Sequence, residues 1–326
     1  MKLASLSEGG RDGTLIVVSR DLSRAAKADA VAPTLQAALE NWADVETDLA
    51  VLAGRLEDGS ASAAFDLDWN GLASPLPRAF QFLDGSAYLP HVERVRRARG
   101  AEMPPSFLTD PLMYQAVSDG FLPPRGTIPA GSEDFGIDFE AEVCVITGDV
   151  PMGVSADEAE AGIRLLCLIN DVSLRNLIPA ELGKGFGFVQ SKPRSALSPV
   201  AVTPDELGSA WSGGKIHLPL LTHYNGELFG RPECGEDMQF GFPELIAHAA
   251  KTRPLGAGTI IGSGTIANQD ESVGASCLAE RRMLEIIAEG KPKTPFMRFG
   301  DTVRIEMLDA AGQSIFGRLE HTVEAA

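Results

Sequence analysis

From 137 to 146 the chain reads IDFEAEVCVI, with Phe139, Ala141, Val143 and Val145 alternating with Asp138, Glu140 and Glu142. Such alternation predicts a strand with one apolar face, and side chains two apart on it lie roughly 7 Å from each other. Further short strands are predicted at 13–21, 198–203, 215–224, 259–262 and 302–308, each bounded by Gly or Pro. Asn225-Gly226, between LLTHY and ELFG, is a two-residue hairpin signal. Helical periodicity is read over 25–59, over the basic amphipathic stretch 88–104, over 155–177 with Ser155 as N-cap, and over 242–252.

The pattern divides the chain. Residues 1–76 read as a small N-terminal domain, mostly helical after an opening strand, followed by the Pro-punctuated connector SPLPRAFQFLDG at 74–85. Residues 77–326 hold many short strands and few helices, which predicts a β-rich α+β domain whose sheets fold over each other.

Composition narrows the function. Twenty-eight basic against 45 acidic residues give a net charge of −17, which argues against nucleic acid as a partner. The four cysteines are far apart with no C-x-x-C, so reduced thiols in the cytoplasm fit best. The N-terminus MKLASLSEGGRDG has no apolar core and no run of 18 apolar residues occurs, so neither a signal peptide nor a membrane span is expected.

Three acids on one strand face pose the chemical question. They either face water, the usual state of acids, or share a divalent cation held by hard oxygen ligands. Two further acids bear on the choice: Asp171, in the apolar run CLINDVSLRNL, and Asp84, in FLDGSAYLPHVE shortly before His91.

The series DGSAYLPHVE, FLTDPLMYQ, DFEAEV, INDVSLRN, QSKPRSALSPV and GSGTIAN…GASCLAERR resembles the fumarylacetoacetate hydrolase family, in order and spacing, over roughly residues 80–326. The resemblance implies a mixed β-sheet roll or sandwich as the C-terminal domain, with a small N-terminal domain. It implies Asp84, Glu140, Glu142 and Asp171 as ligands of one Mg²⁺ or Mn²⁺, with Ca²⁺ also able to serve. His91 matches the general base that activates water, and Glu280 the carboxylate that orients it. Arg175 and Lys192 match cationic groups at the metal and the substrate; Tyr114 and Thr265 match hydrogen-bond donors to the substrate. Asp138 matches no ligand and is read as a structural or solvated acid. A homodimer is expected from the family.

The implied activity is hydrolysis of a C–C bond in a 2,4-diketo acid or acylpyruvate, in aromatic-compound catabolism. The rivals are a hydratase, decarboxylase or isomerase of 2-oxo acids on the same metal site, and a metal-binding protein without catalysis. Ser86 stands where the family's namesakes have Tyr, Ile178 where they have Gln, and Arg94 where small relatives have Glu, which weakens the case for fumarylacetoacetate itself. Taken singly, each residue has a plain alternative: His91 as a surface helix residue, Arg175 paired to Asp171 across a helical turn, Lys192 as a loop lysine. Segment 84–104, bounded by Gly85, Gly100 and Pro104 and carrying Arg94, Arg96, Arg97 and Arg99, is expected to act as a lid.

Overall fold

A computed structural model describes residues 1–97 and 102–326. Arg99 and Gly100 of the expected lid lie outside the described residues. The central element is a mixed sheet of twelve described strands. Its path runs through Phe65–Asp66, Arg24–Lys27, Thr14–Val18, Lys2–Leu6, Ala201–Val202, Ile163–Asn170, Ala141–Thr147, Ile260–Gly262, Phe82–Gly85 and Met113–Gln115. A five-stranded sheet (Glu227–Gly230, Leu220–Tyr224, Thr302–Met307, Leu319–Ala325, Arg125–Ala130) lies beside it. The mixed β-rich architecture expected from the sequence is the one observed.

The N-terminal segment contains more strand than expected. Lys2–Leu6, Thr14–Val18 and Arg24–Lys27 form an antiparallel meander joined to Ala201–Val202 through Lys2↔Val202. The helices Leu35–Glu40 and Trp42–Glu57 begin only at the Thr34 cap, whose hydroxyl accepts from the Ala37 amide. Leu35, Leu49 and Leu56 from these helices pack in one core with Cys144, Ile146, Leu165 and Cys167 of the central strands. Among the described residues, no helix is long and apolar enough to cross a membrane.

The largest correction concerns 155–177, expected as one helix. Only Ala156–Ala159 is α-helical, opened by a capping box in which the Ser155 hydroxyl accepts from the Glu158 amide and followed by the 3-10 turn Glu160–Gly162. Past Gly162 the run IRLLCLIN is the strand Ile163–Asn170, paired residue by residue with Ala141–Thr147. A continuous apolar run suits a strand buried on both faces, and periodicity alone does not separate it from a buried helix. The consequence is positional, because Asp171 emerges at the end of a central strand. The Asn225-Gly226 hairpin is as expected: Tyr224 pairs with Glu227, and both turn residues have positive φ, 51° and 84°.

The acidic stretch is also interrupted. Ile137–Asp138 pairs with Ser173–Leu174, and Ala141–Thr147 pairs with Ile163–Asn170, leaving Phe139 and Glu140 between the two ladders. The basic helix spans Leu89–Arg97 and packs on Leu278–Glu289, the helix that follows the last strand of the large sheet's centre.

A core strand and an amphipathic helix respond differently to truncation. Leu166 is fully buried in Ile163–Asn170, so Leu166→Ala should cost about 2–5 kcal/mol in denaturant unfolding. A loss below about 1 kcal/mol would be the behaviour of a helix face on the surface and would contradict the strand.

Candidate active site

Asp84 is the penultimate residue of the strand Phe82–Gly85, which lies parallel to Ile260–Gly262 with Asp84 opposite Gly262. That position must be glycine, because a Cβ there would lie 2.2 Å from Asp84 Oδ1. Two residues on, Gly264 turns left-handed at φ 78° and its amide donates to the same oxygen at 3.2 Å. Thr265 then donates to Glu140 Oε1 at 2.7 Å. The motif GSGT is thus a backbone cradle for one acid and a hydroxyl for another.

NDVSLR works the same way from the end of its strand. Asp171 receives hydrogen bonds from Tyr114 (2.7 Å to Oδ2) and Ser195 (2.5 Å to Oδ1). Ser173 donates to Glu140 Oε2 at 3.1 Å, and Arg175 donates to Glu140 Oε1 and Asp138 Oδ2, each at 2.8 Å. The helical-turn pairing of Arg175 with Asp171 is therefore wrong, since residues 171–175 are not helical and Arg175 reaches the acids of the neighbouring strand. Lys192, buried rather than a loop lysine, joins Glu140 Oε2 to Asp171 Oδ2.

None of the three alternating acids faces water: Asp138 and Glu142 are fully buried and Glu140 is 5 % exposed. Their environments differ sharply. Burial alone would push Glu140 up, but Arg175 and Lys192 outweigh it and hold its carboxyl well below the usual range. Glu142 has no cation in contact; burial, then Asp84 and Asp171, push it well above the usual range. Asp84 is pushed up to about 7 by burial and by Asp171. Carboxylate oxygens of Asp84, Glu142 and Asp171 all lie within 4.8 Å of one another. Both oxygens of Glu142 are buried without a hydrogen-bond partner.

Such orphaned acceptors are costly unless something electropositive meets them. The all-oxygen donor set suits a hard divalent cation, which Asp84, Glu142 and Asp171 could hold with Glu140 alongside across Lys192. The residues fit the implied metal.

His91 comes from the Leu89–Arg97 helix, and its Nδ1 lies 2.9 Å from Glu280 Oε2. Glu280 is fully buried near the start of Leu278–Glu289. Two contributors to this pair escaped the sequence reading. Arg94, one turn after His91, donates to Glu280 Oε1 (2.5 Å) and to the Asn268 carbonyl (2.6 Å), and is itself buried. Its i+3 spacing from His91 was the available signal. Asp138 accepts from the amides of Leu278 and Ala279 at 2.8 and 2.9 Å, capping the helix that carries Glu280. Burial raises Asp138 despite Arg175, and its membership of the acidic alternation marked it.

All these groups meet in one cavity of about 660 Å³. Asp84, Glu140, Glu142, Arg175, Lys192 and Thr265 line its polar end together with His91 and Tyr114. Every sequence-predicted site residue except Asp171 and Glu280 lines the cavity directly, and those two contact lining residues.

Comparison with known proteins identifies the family and the fold. Residues 81–324 match the family model described as Fumarylacetoacetate (FAA) hydrolase C-terminal, and residues 1–78 match Fumarylacetoacetase N-terminal domain 2. Oxaloacetate tautomerase YisK of Bacillus subtilis (strain 168) is 26% identical over 223 residues, covering 67% of this chain and 69% of that protein. Fumarylacetoacetate hydrolase from psychrophilic Exiguobacterium antarcticum superposes with TM-score 0.65 at 17% identity, covering 100% of both chains. Maleylpyruvate hydrolase from Sphingobium sp. SYK-6, solved in complex with manganese (II) ion and pyruvate, superposes with TM-score 0.65 at 16% identity over 100% of both.

The uncompensated acids predict a trade between stability and cation binding. With chelator present and at a pH where Glu142 is ionised, Glu142→Gln should stabilise the protein by about 1–3 kcal/mol, because it removes the charge that ionisation places among buried like charges. The gain should grow with pH. Asp84 has a folded-state value pushed up to about 7, so the stability that its protonation contributes is fully present below its unfolded value and is lost as pH rises through about 7; Glu142, raised well above the usual range, contributes in the same direction. Added Mn²⁺ should raise the melting temperature of the unsubstituted protein and not that of Glu142→Gln. Equal Mn²⁺ shifts in both proteins would remove Glu142 from the cation site.

Proposed function

The chain belongs to the fumarylacetoacetate hydrolase family, and on that premise we propose that it hydrolyses a C–C bond in a 2,4-diketo acid with the help of a divalent cation. The observation that carries the reading is the His91–Glu280 pair, 2.9 Å apart, in the wall of the cavity whose floor gathers Asp84, Glu142 and Asp171. A proton-accepting group and a cation-binding floor facing one space are what hydrolytic cleavage between two carbonyls requires.

The cation would be held by Asp84, Glu142 and Asp171 with Glu140, and Mg²⁺ or Mn²⁺ is proposed. Once bound, it supplies Lewis acidity toward the oxygens of the diketo group. The chain's own groups do the rest. Lys192 and Arg175 add fixed positive charge for the substrate carboxylate and for oxyanion character. Glu280, gripped by Arg94, would accept a hydrogen bond from the Nδ1–H of His91, which turns Nε2 to the cavity as the proton acceptor. His91 takes a proton from water as the oxygen bonds to the distal carbonyl carbon. The bond from that carbon to the central CH₂ then breaks, and the electron pair stays with the 2-oxo acid fragment. The proton held by His91 passes to the former CH₂ carbon, which becomes the methyl group of the 2-oxo acid. One water and one diketo acid thus give one carboxylic acid and one 2-oxo acid.

A homodimer acting in the cytoplasm on a small diketo acid of aromatic catabolism completes the reading. The alternative of hydration, decarboxylation or isomerisation on the same floor remains an outcome of the test. Purified protein with Mn²⁺ should consume enol absorbance of acylpyruvates and release both acids in equal amounts. Absorbance loss without a second acid would mean tautomerisation or hydration. On a cleaved substrate, His91→Ala should lower kcat by about 10²–10⁴ with Mn²⁺ affinity retained. Glu280→Gln should give a smaller loss. Full turnover by His91→Ala would sink the hydrolytic assignment.

A further inference from the structure

The helix Leu278–Glu289 opens on a residue that capping does not account for. Its N-cap is Cys277, whose Sγ accepts from the Glu280 amide at 3.3 Å. Ser, Thr, Asp and Asn are the side chains that serve an N-cap well, and sulfur is a weak acceptor. The amides of Leu278 and Ala279 are taken by Asp138, so most of the cap comes from elsewhere.

Two further donors stand around the sulfur. One ligand atom from each of His91, Cys277 and Glu280 lies within 4.8 Å of the others. Cys277 and Glu280 are fully buried, and His91 lines the cavity, which gives an ion its route in. Tetrahedral Zn²⁺ takes sulfur at about 2.3 Å and nitrogen or carboxylate oxygen at about 2.0–2.2 Å, which sets ligand atoms roughly 3.3–3.8 Å apart. Side-chain adjustment is enough to close the three donors to that spacing, with the 2.9 Å His91–Glu280 contact opening slightly.

The donor set decides the ion. One nitrogen, one sulfur and one oxygen suit a borderline-soft cation, whereas the all-oxygen cluster of Asp84, Glu140, Glu142 and Asp171 suits Mg²⁺ or Mn²⁺. Arg94 holds Glu280 Oε1 at 2.5 Å and leaves Oε2 on the His91 side, so the carboxylate is already oriented. Burial pushes the Cys277 thiol well above its usual range. The cation must therefore displace the thiol proton to water as the metal–sulfur bond forms.

We propose that His91, Cys277 and Glu280 form a second metal site, which binds Zn²⁺ and inhibits the enzyme. The binding stands apart from the hydrolase reading. The inhibition rests on it, because a His91 ring with one nitrogen on Zn²⁺ and a proton on the other has no lone pair left for the proton of water.

The first test is binding. Protein saturated with Mn²⁺ should take up one further equivalent of Zn²⁺ in calorimetry or equilibrium dialysis. Cys277→Ser, which keeps a good cap, and His91→Ala should each weaken that uptake by at least about 100-fold, the upper end of what losing a residue that only orients a ligand costs. Glu142→Gln should still bind one Zn²⁺ with the affinity of the unsubstituted protein. Zn²⁺ that merely replaces Mn²⁺, lost in Glu142→Gln and kept in Cys277→Ser, overturns the proposal, and so does the absence of a further equivalent. Co²⁺ reports the sulfur directly, through a near-ultraviolet thiolate-to-cobalt absorption that Cys277→Ser should abolish. A band that persists in Cys277→Ser puts the metal on another cysteine and overturns the site.

The second test is activity on a cleaved diketo acid. Saturating Zn²⁺ should lower kcat of the Mn²⁺-loaded enzyme by about 10²–10⁴, the weight of the lost base, and excess Mn²⁺ should not relieve the loss. Cys277→Ser should keep its rate at the same Zn²⁺ concentration. A protein that takes Zn²⁺ at Cys277 and cleaves no diketo acid keeps the site and removes the hydrolase reading. Cleavage that Zn²⁺ inhibits equally in both proteins does the reverse. Undiminished cleavage with the site filled overturns the inhibitory role.

Discussion

Mutual repulsion among buried carboxylates is the constraint on which this structure turns. Asp84, Glu140, Glu142 and Asp171 gather at one end of a cavity with only Lys192 and Arg175 to offset them. The two cations are unevenly shared. Glu140 takes both, and Glu142, two residues along, takes neither and keeps two orphaned oxygens. Burial raises a carboxyl and a neighbouring cation lowers it, so the same residue type sits at opposite extremes within one short stretch. Such an arrangement is unfavourable for the protein alone and favourable for binding a divalent cation.

The rest of the fold holds these acids against their tendency to separate. The central strands Ala141–Thr147 and Ile163–Asn170 are buried on both faces and bring Glu142 and Asp171 to the same end of the sheet. The parallel pairing of Phe82–Gly85 with Ile260–Gly262 adds Asp84, and the missing side chain at Gly262 makes room for its carboxylate. The N-terminal meander extends this sheet and its helices cover one face, so the small N-terminal part contributes core to the strands that bear the candidate ligands.

The catalytic wall is tied to the floor through Asp138. Its carboxylate takes Arg175 on one side and the first amides of Leu278–Glu289 on the other. That helix carries Glu280, whose Oε2 meets His91 Nδ1. One buried acid therefore links the acidic cluster to the His91–Glu280 pair. Arg94 completes the coupling by fastening the His91 helix to Glu280 and to the Asn268 carbonyl.

The sequence brought forward the candidate residues of the site. Acids at alternate positions, an apolar run ending in Asp171 and a GSGT turn are local patterns, and together with the family resemblance they named the four candidate ligands, His91 and Glu280. It also determined the β-rich class and the Asn225-Gly226 hairpin, because turn chemistry and alternation act over a few residues. Tertiary structure decided what depends on neighbours remote in sequence. Residues 163–170 became a strand because a two-faced burial slot existed for them between Ala141–Thr147 and Ala201–Val202, and an apolar run carries no period to announce that. The partners of Arg175 and Lys192 and the capping role of Asp138 likewise depend on which charges meet after folding. Coulomb interactions follow distance in space, and only the fold sets that distance.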